Sequence, residues 1–215
     1  MKREKPGKVF VISAPSGAGK TSIVYAVLAR IQQVFPIERV ITYTTRTPRP
    51  QERCSGSDYH FVTDAVFQQK IEQGFFLEWS RAYGHYYGSP KNVLDKAAQG
   101  VSQIAVLDRQ GARSVAAATD QAVLIWVYTK SCAVLRERLM ARGADPLKQI
   151  ERRLALAKQE MTQERQEKLF DYKVLNDCIE KAVCEVECII KKVLDGSGED
   201  SFEKSCKKSL PDSDS

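Results

Sequence analysis

The clearest pattern in the chain is a continuous apolar run that gives way to a loop of small residues. Residues 9–12 read VFVI, the next seven read SAPSGAG, and apolar residues then recur at helical spacing. A β-branched and aromatic run without polar alternation is typical of a strand that is buried on both faces. The pattern therefore predicts a strand, a tight loop and a helix over about residues 20–33.

Further along, short strand-like segments precede a region in which strands and helices alternate. Residues 64–73 have an amphipathic pattern that predicts a helix capped by Asp64 and ended by Gly74. The other predicted elements are strands at 39–43, 59–62, 75–83, 84–89, 103–107, 123–128 and 172–175, and helices at 90–99, from 131, at 147–170 and up to about 194. The short strands between 39 and 89 predict an inserted antiparallel lobe, and the alternation predicts a parallel core sheet. The expected fold class is α/β.

The loop after the first strand has the features of a phosphate-binding loop. It follows the pattern G-x-x-x-x-G-K-[ST], with alanine at the first position. Such loops turn backbone N–H groups inward, the helix N-terminus adds partial positive charge, and lysine reaches the β- and γ-phosphates while the hydroxyl binds Mg²⁺. The predicted phosphate-contacting residues are Ala14, Pro15, Ser16, Gly17, Ala18, Gly19, Lys20, Thr21 and Ser22. The loop alone indicates a nucleoside triphosphate without identifying its base.

The composition is ordinary for a soluble globular protein. The chain has 215 residues, of which 43% are hydrophobic and 28% are charged. No apolar run approaches the roughly 20 residues that a membrane helix needs. The basic N-terminal segment is followed by too few apolar residues for a signal peptide. We therefore expect one sizeable α/β domain, a cytoplasmic location and no membrane partner.

The cysteines give no sign of a metal site. None of the six forms a C-x-x-C pair, and His60 and His85 are distant in sequence from Cys184 and Cys188. Cys184 and Cys188 lie one helical turn apart, but scattered reduced thiols are the simpler interpretation. The sequence therefore predicts no metal other than the Mg²⁺ that accompanies ATP.

The positive charge is unevenly distributed. The net charge is +6, whereas residues 195–215 contain six acids and three lysines. We expect this acidic tail to be disordered because it has few apolar residues. The basic remainder suits either nucleic acid or a small polyanion, and the positions of the arginines decide between them.

Two arginines stand on a stiff segment between the second and third predicted strands. Residues 44–50 read TTRTPRP, and the two prolines keep this segment extended. Residues three apart on a polyproline-type chain project to the same side. Arg46 and Arg49 are thus predicted to form a fork for one phosphate group.

Polar residues also follow the later core elements. Asp108 comes directly after an apolar strand, where α/β sheets often place a carboxylate that organises Mg²⁺. Arg138 and Arg142 precede Gly143, and Arg153 lies on the next predicted helix. Gly143 and Pro146 interrupt the chain between these two helices.

The motifs, taken in order, resemble those of guanylate kinases over residues 7–194. The matching segments are SAPSGAGKTS (13–22), TYTTRTPRP (42–50), SDYHF (57–61), LEW (77–79), GHYYGS (84–89), DRQGA (108–112), RLMARG (138–143), RRL (152–154) and VLND (174–177). The resemblance implies a P-loop NTPase three-layer fold that transfers the ATP γ-phosphoryl group to GMP. It also implies a core (7–38, 90–136 and 160–194), a GMP-binding lobe (39–89) and a helical lid (137–159).

The resemblance also implies roles for individual residues. GMP would be held by Thr42, Arg46, Arg49, Tyr59, Glu78, Tyr87, Ser89 and Asp108. Lys20, Arg138, Arg142 and Arg153 would be catalytic, Asn176 would lie near the adenine, and Mg²⁺ would be bound by Thr21 and, through water, by Asp108. Glu78 suits guanine because a carboxylate can accept from both N1–H and the exocyclic amino group, whereas adenine presents a lone pair at N1.

The chain departs from the family pattern at one position. Guanylate kinases usually carry two acids in a D-x-D-x-Q-G segment, and here Val106 replaces the first of them while Asp108 keeps the second. We expect activity to survive because Asp108 can still organise Mg²⁺. Thr42 stands where the family often has serine, and both side chains offer a hydroxyl to guanine O6.

Three other functions remain open at this point. A guanylate-kinase-like interaction domain without catalysis is the main alternative, although such domains typically lack a working phosphate loop. A kinase for AMP or UMP is disfavoured by Glu78 and Ser89. A nucleic-acid-binding protein is disfavoured because the arginines do not follow one helix face with interleaved aromatics. The expected partners are ATP and GMP or dGMP, not nucleic acid, and the chain is expected to be a monomer or homodimer.

Overall fold

The computed structural model describes residues 5–48, 59–82, 84–141, 143 and 146–196, and that part of the chain contains nine strands and seven helices. The strands are β1 (Val9–Ser13), β2 (Ile37–Arg39), β3 (Thr42–Thr44), β4 (Tyr59–Phe61), β5 (Phe76–Ala82), β6 (His85–Pro90), β7 (Ser102–Val106), β8 (Ala122–Tyr128) and β9 (Tyr172–Leu175). The helices are α1 (Lys20–Ile31), α2 (Asp64–Glu72), α3 (Asn92–Ala98), α4 (Arg109–Ala118), α5 (Cys132–Ala141), α6 (Leu147–Gln166) and α7 (Ile179–Asp195).

The main sheet is parallel and has β1 at its centre. Its strand order is β2-β7-β1-β8-β9, and every pairing between neighbours is parallel. Phe10 and Ile12 pack on one side with residues of α1, α5, α6 and α7, whereas Val9 and Val11 pack on the other with residues of α3 and α4. Helices cover both faces, which explains why β1 is apolar at four successive positions. The α/β fold with a parallel core is thus confirmed.

The parallel arrangement brings three polar segments to one edge of the main sheet. The loop after β1, Asp108 just after β7 and Asn176 just after β9 all follow the carboxyl ends of core strands. In open α/β sheets, this edge is where ligands bind. The topology therefore places the predicted site on the edge that carries the phosphate loop.

A second sheet has the order β4-β3-β6-β5 and is mixed. The pairs β3–β6 and β5–β6 are antiparallel, as the sequence predicts, and β4 joins β3 in parallel. Aromatic side chains form its support, with the rings of Phe67 and Phe76 stacked 4.5 Å apart. Gly88 is required there because an added Cβ would lie 2.9 Å from Phe76 Cδ1.

One predicted strand is in fact two strands of different sheets. Residues 39–43 were expected to form a single strand of the inserted lobe, but β2 pairs with β7 of the main sheet and β3 pairs with β4 and β6. The chain crosses between the sheets at Val40 and Ile41, of which the first is buried and the second exposed. An uninterrupted β-rich pattern does not reveal such a crossing, because both partners are distant in sequence.

Three helix features also differ from expectation. Helix α4 was not predicted, although Asp108 Oδ1 caps it by accepting from the N–H of Gly111 at 2.7 Å. The cap of α2 is Thr63, whose hydroxyl accepts from Val66 N–H, and Asp64 is the first helical residue instead. Helix α6 ends at Gln166, short of the predicted 170. Local hydrogen bonds to a hydroxyl and a carboxylate cap decide where α2 and α4 begin.

Within the described residues, no helix has the length and apolar character needed to cross a membrane. Asp195, assigned to the tail by the sequence, is the last residue of α7. The rest of the predicted disordered tail, residues 197–215, lies outside the described part of the chain.

Candidate active site

A cleft of about 910 Å³ runs from the loop after β1 to the inner face of the second sheet. Lys20 and Thr21 line one end, and Thr42, Glu78 and Tyr87 line the other. Because side chains from both sheets and from α5 and α6 line one cavity, two ligands can lie against each other in it. The cleft is therefore suited to transfer of a group between two bound molecules.

The phosphate loop, residues 13–19, owes its shape to two glycines with positive φ. Gly17 and Gly19 both have φ of 87°, a left-handed conformation that side chains with a Cβ rarely adopt. An added Cβ at Gly19 would also lie 2.8 Å from Asn176 Nδ2. Ala14 is buried at the start of the loop, so alanine is accommodated where the usual pattern has glycine.

Lys20 is held by the loop itself. Its ammonium group donates to the carbonyl oxygen of Ala14 at 2.5 Å and to that of Pro15 at 3.4 Å. Burial lowers the pKa of Lys20, the negative charges of Glu160 and Asp108 oppose that effect, and Arg153 adds to it. Two backbone oxygens thus position a cation at the N-terminus of α1, where phosphate oxygens bind most readily.

The loop is braced from two sides. The Asn176 side chain, which is buried, donates from Nδ2 to Ala18 O at 2.8 Å, and Arg138 donates to the backbone oxygen of Asn176 at 3.0 Å. On the lid side, Arg153 Nε donates to Ser16 Oγ at 2.8 Å. Asn176 therefore supports the loop from beneath and does not line the cleft.

At the other end, strand register gathers the predicted guanine-binding residues on one face. Thr42 pairs with Tyr59, and Glu78 pairs with Ser89. Alternate residues of a strand face the same side, so Tyr87 lies on the face of β6 that also carries Ser89. The second sheet thus turns the predicted base-reading and phosphate-binding residues toward the cleft.

Glu78 is a buried carboxylate whose Oε1 has no hydrogen-bond partner within the described residues. Only 5% of the residue is exposed. Burial, with a smaller contribution from the nearby Asp108, raises the pKa of Glu78 to about 7, although Ser89 opposes the shift. Gly111 makes room for it, since a Cβ there would lie 2.8 Å from Glu78 Oε2. An acceptor kept buried and unpaired is costly, which indicates that a ligand supplies the donors.

Asp108 links the two ends of the cleft. Its Oδ1 accepts from Gly111 N–H and its Oδ2 accepts from Ser80 Oγ, both at 2.7 Å. These bonds tie the start of α4 to β5, beside Glu78. Each carboxylate oxygen can accept a second hydrogen bond, so Asp108 keeps capacity for a bound water.

Arg46 lies over aromatic rings at the mouth of the cleft. Its guanidinium carbon is 5.3 Å from the ring centroid of Tyr59 and 5.4 Å from that of Phe61. One guanidinium nitrogen donates to Thr47 O at 2.9 Å. These contacts hold a positive charge against aromatic surface at the mouth of the cleft.

Val106 is half-buried at the end of β7 and packs against the core while also lining the cleft. It therefore places apolar surface where the family pattern has the first of two acids. The acids that remain along this part of the cleft, among the described residues, are Asp108 and Glu160.

One face of α6 lines the cleft over much of the helix, and sequence analysis identified only Arg153 on it. The cleft-lining residues of this helix are Gln149, Arg153, Leu156, Glu160 and Gln163. Their spacing of three and four residues is the repeat of a single helical face. That periodicity was present in the sequence, but a polar stripe on a helix ordinarily faces solvent, so it gave no signal of a site.

Most predicted site residues meet at the cleft. Those that line it are Ala14, Ser16, Gly17, Gly19, Lys20, Thr21, Ser22, Thr42, Arg46, Tyr59, Glu78, Tyr87, Asp108, Arg138 and Arg153. Pro15, Ala18, Ser89 and Asn176 are close to it without lining it. Arg49 and Arg142 lie outside the described residues. Ser80, Arg81 and His85 also line the cleft and were not predicted.

Comparison with known proteins agrees with this geometry. The guanylate kinase family model matches residues 6–193. The chain is 42% identical to a guanylate kinase of Nitrosospira multiformis over 187 residues and 41% identical to one of Myxococcus xanthus over 187 residues, in each case covering 86% of both chains. It also resembles the crystal structure of guanylate kinase from Anaplasma phagocytophilum, with a TM-score of 0.71, 26% identity and coverage of 88% of this chain and 87% of that one. The chain therefore belongs to the guanylate kinase family.

Proposed function

We propose that this chain is a guanylate kinase that transfers the γ-phosphoryl group of ATP to GMP, giving ADP and GDP. The observation that carries the proposal is the buried Glu78, whose Oε1 has no partner among the described residues and which faces a cleft that begins at a phosphate loop. Among common nucleobases, guanine offers two adjacent donors, N1–H and the exocyclic amino group. A carboxylate that accepts both fulfils its own hydrogen bonds and fixes the base.

Base choice then follows from desolvation. Ser89 lies next to Glu78, is buried, and has a hydroxyl without a partner in the described part of the chain. With Thr42 it would bond the oxygen-bearing edge of guanine. Adenine would leave the Glu78 charge opposite a lone pair and unpaired, and such a mismatch discriminates strongly in a buried site.

The acceptor phosphate is assigned to residues at the mouth of the second sheet. Arg46, Tyr59 and Tyr87 line the cleft, and Arg46 is already oriented by its contact with the Tyr59 ring. Arg49 joins them in the proposal because it stands three residues after Arg46. Together they would hold the GMP phosphate in line with the ATP γ-phosphate, so that positioning supplies a large part of the rate.

The donor end would bind the ATP phosphates through the loop backbone and Lys20. Bound phosphate oxygens would replace the Ala14 and Pro15 carbonyls as acceptors for the ammonium group. Arg138 and Arg153, with Arg142, would neutralise charge on the transferred group from the lid side. A GMP phosphate oxygen forms the new bond to the γ-phosphorus while the bond to the β–γ bridging oxygen breaks, so no general base is needed.

Mg²⁺ fits the oxygen-rich donor set at this end. The Thr21 hydroxyl and the Asp108 carboxylate both line the cleft, and Mg²⁺ prefers one or two protein oxygens together with phosphates and waters. Thr21 would bind the ion directly and Asp108 through water. When bound, the ion neutralises phosphate charge during transfer.

The proposal also divides the chain into moving parts. Residues 7–38, 90–136 and 160–194 would form the core, 39–89 the GMP-binding lobe and 137–159 the lid. The hydrogen bond from Arg153 to Ser16 connects α6 to the phosphate loop, which supports a lid that acts on that loop. Closure would bring the arginines over both phosphates and exclude water.

The test is ADP formation from Mg·ATP with GMP, dGMP, AMP or UMP offered separately. We expect fast turnover with GMP and a rate at least about 100-fold lower with AMP, because the unpaired carboxylate opposes adenine. If AMP or UMP were used as well as GMP, Glu78 would not be the residue that selects the base, whereas the assignment as a kinase would still hold. Tight GMP binding without turnover would indicate the interaction domain instead.

A further inference from the structure

Glu160 is the one acid on the cleft-facing stripe of α6, within the described residues, that the proposed reaction does not use. It lies seven residues after Arg153, which is two helical turns along the same face. Arg153 contacts the phosphate loop through Ser16, and Ala157 between them is buried in the core. The same face of α6 therefore carries both Arg153 and Glu160. Glu160 and Lys20 line the same cleft, and each charge acts on the other.

The Glu160 carboxylate is unusually placed for a polar group. Its Oε2 atom is buried and has no hydrogen-bond partner within the described residues. The charged groups that act on it are Lys20, Asp108 and Arg109. Lys20 donates to backbone carbonyls, and Arg109 is paired with Glu164 and Glu167. Burial raises the pKa of Glu160, and the positive charge of Lys20 opposes that shift. When it is ionised, Glu160 adds negative charge beside Lys20 at the phosphate end of the cleft.

Negative charge at that place opposes the binding of a polyphosphate. Metal-free ATP carries about four negative charges at neutral pH, and Mg²⁺ cancels two of them. Like charges within one cleft repel in proportion to the product of their charges, so a carboxylate disfavours free ATP more than Mg·ATP. The buried oxygen can also accept hydrogen bonds from ordered water that the metal complex brings in.

We propose that Glu160 is a specificity-determining residue that makes the donor site select Mg·ATP over metal-free ATP. The inference rests on the proposed function, because it assumes that ATP phosphates occupy the loop beside Lys20. In this proposal, Glu160 selects the metal-bound form of ATP, whereas Glu78 selects the base of the phosphate acceptor.

The decisive measurement is calorimetric titration of the full chain with ATP at pH 8, in EDTA and in excess MgCl₂, without GMP and therefore without turnover. Glu160→Gln keeps the shape of the side chain and removes its charge. We expect it to tighten metal-free ATP about tenfold and to change Mg·ATP little, so that the ratio of the two dissociation constants falls about tenfold. Glu160→Asp should retain most of the wild-type ratio.

Glu151→Gln is the matched control, since Glu151 is an exposed carboxylate of the same helix. It should leave the ratio unchanged. An unchanged ratio in Glu160→Gln would overturn the proposal, and so would equal weakening of both ligands, which indicates that Glu160 only positions Lys20. If wild type bound ATP in neither buffer, the donor site itself would be misassigned, which is distinguishable from both results.

Discussion

The two ends of the cleft differ in how their polar groups are satisfied before any ligand binds. At the phosphate loop, Lys20 donates to backbone carbonyls, Arg153 donates to Ser16 and Asn176 donates to Ala18. At the second sheet, Glu78 Oε1 and Ser89 Oγ are buried and have no partner within the described residues. The donor groups of the phosphate end are thus bonded within the protein, whereas the base-reading oxygens of the second sheet are not.

The difference follows from what each end recognises. Phosphate is recognised by charge and by backbone N–H groups, which a loop can present whether or not the ligand is bound. A base-binding site must distinguish one base from another of similar shape. This discrimination is strong only when the wrong base leaves a buried polar group of the protein unpaired. At the guanine end, the unpaired oxygens are therefore the proposed base-reading groups. At the phosphate end, Glu160 and Asn176 also have buried oxygens without a partner among the described residues, but the cationic phosphate-binding groups are already bonded.

The largest effect is expected at the phosphate end. Lys20→Ala should reduce kcat by about 10³-fold, because it removes the cation that stabilises the transferred charge. Initial rates of ADP formation with saturating Mg·ATP and GMP measure this loss. Lys96→Ala, which removes an exposed lysine paired with Glu38, is the control and should retain the full rate. A Lys20→Ala rate within tenfold of wild type would contradict the role of Lys20.

Removing the charge of Glu78 tests the other end. Glu78→Gln should lower kcat/KM for GMP by about 100-fold, because an amide cannot accept from both guanine donors, while KM for ATP stays unchanged. The ratio of GMP to AMP use should fall with it. Steady-state kinetics with each nucleotide measure both quantities. If ATP use were affected as strongly as GMP use, the two ends would not be separate in function.

A substitution at Gly111 tests whether the position of the Glu78 carboxylate matters, because it crowds the carboxylate without changing its charge. Gly111→Ala adds a Cβ 2.8 Å from Glu78 Oε2, so the carboxylate must shift. We expect KM for GMP to rise about tenfold, an effect of the size that overpacking produces. Thermal melting should show little loss of stability, since alanine is the better helix former. An unchanged KM for GMP would mean that the position of the carboxylate is not critical.

The pH dependence of the guanine end should differ from that of the loop. The pKa of Glu78 is raised to about 7, and the proposed contact needs the ionised form. As pH falls through 7, a growing fraction of Glu78 is protonated, so kcat/KM for GMP at pH 6 should be about tenfold below its value at pH 8. Glu78→Gln provides the control because it retains only the titration of the substrate phosphate. If wild type and Glu78→Gln had identical pH profiles of kcat/KM for GMP, Glu78 would not be the titrating group.

Much of the phosphate end could be predicted from the sequence alone. Residues 9–22 form a continuous stretch whose apolar run, glycines and lysine each have a local physical meaning, and the structure places them as the pattern indicates. The strand after Asp171 was also predicted correctly, from Tyr172 to Leu175. These features depend on neighbours in the chain.

The guanine end owed its prediction to family resemblance. Glu78 and Ser89 lie eleven residues apart in sequence and become neighbours only through the register of β5 and β6. The raised pKa of Glu78 and the need for glycine at Gly111 arise from burial against α4, a helix that the pattern did not predict. No local sequence feature encodes either property.

The sequence by itself determined β1, the phosphate loop that follows it and the order of the motifs, because these depend on local backbone preferences and side-chain types. The tertiary structure decided which sheet each short strand joined, that one face of α6 lines the cleft, and that Glu78 and Glu160 keep buried oxygens without partners among the described residues. Burial and charge proximity are properties of packed elements, and packing joins residues that are distant along the chain.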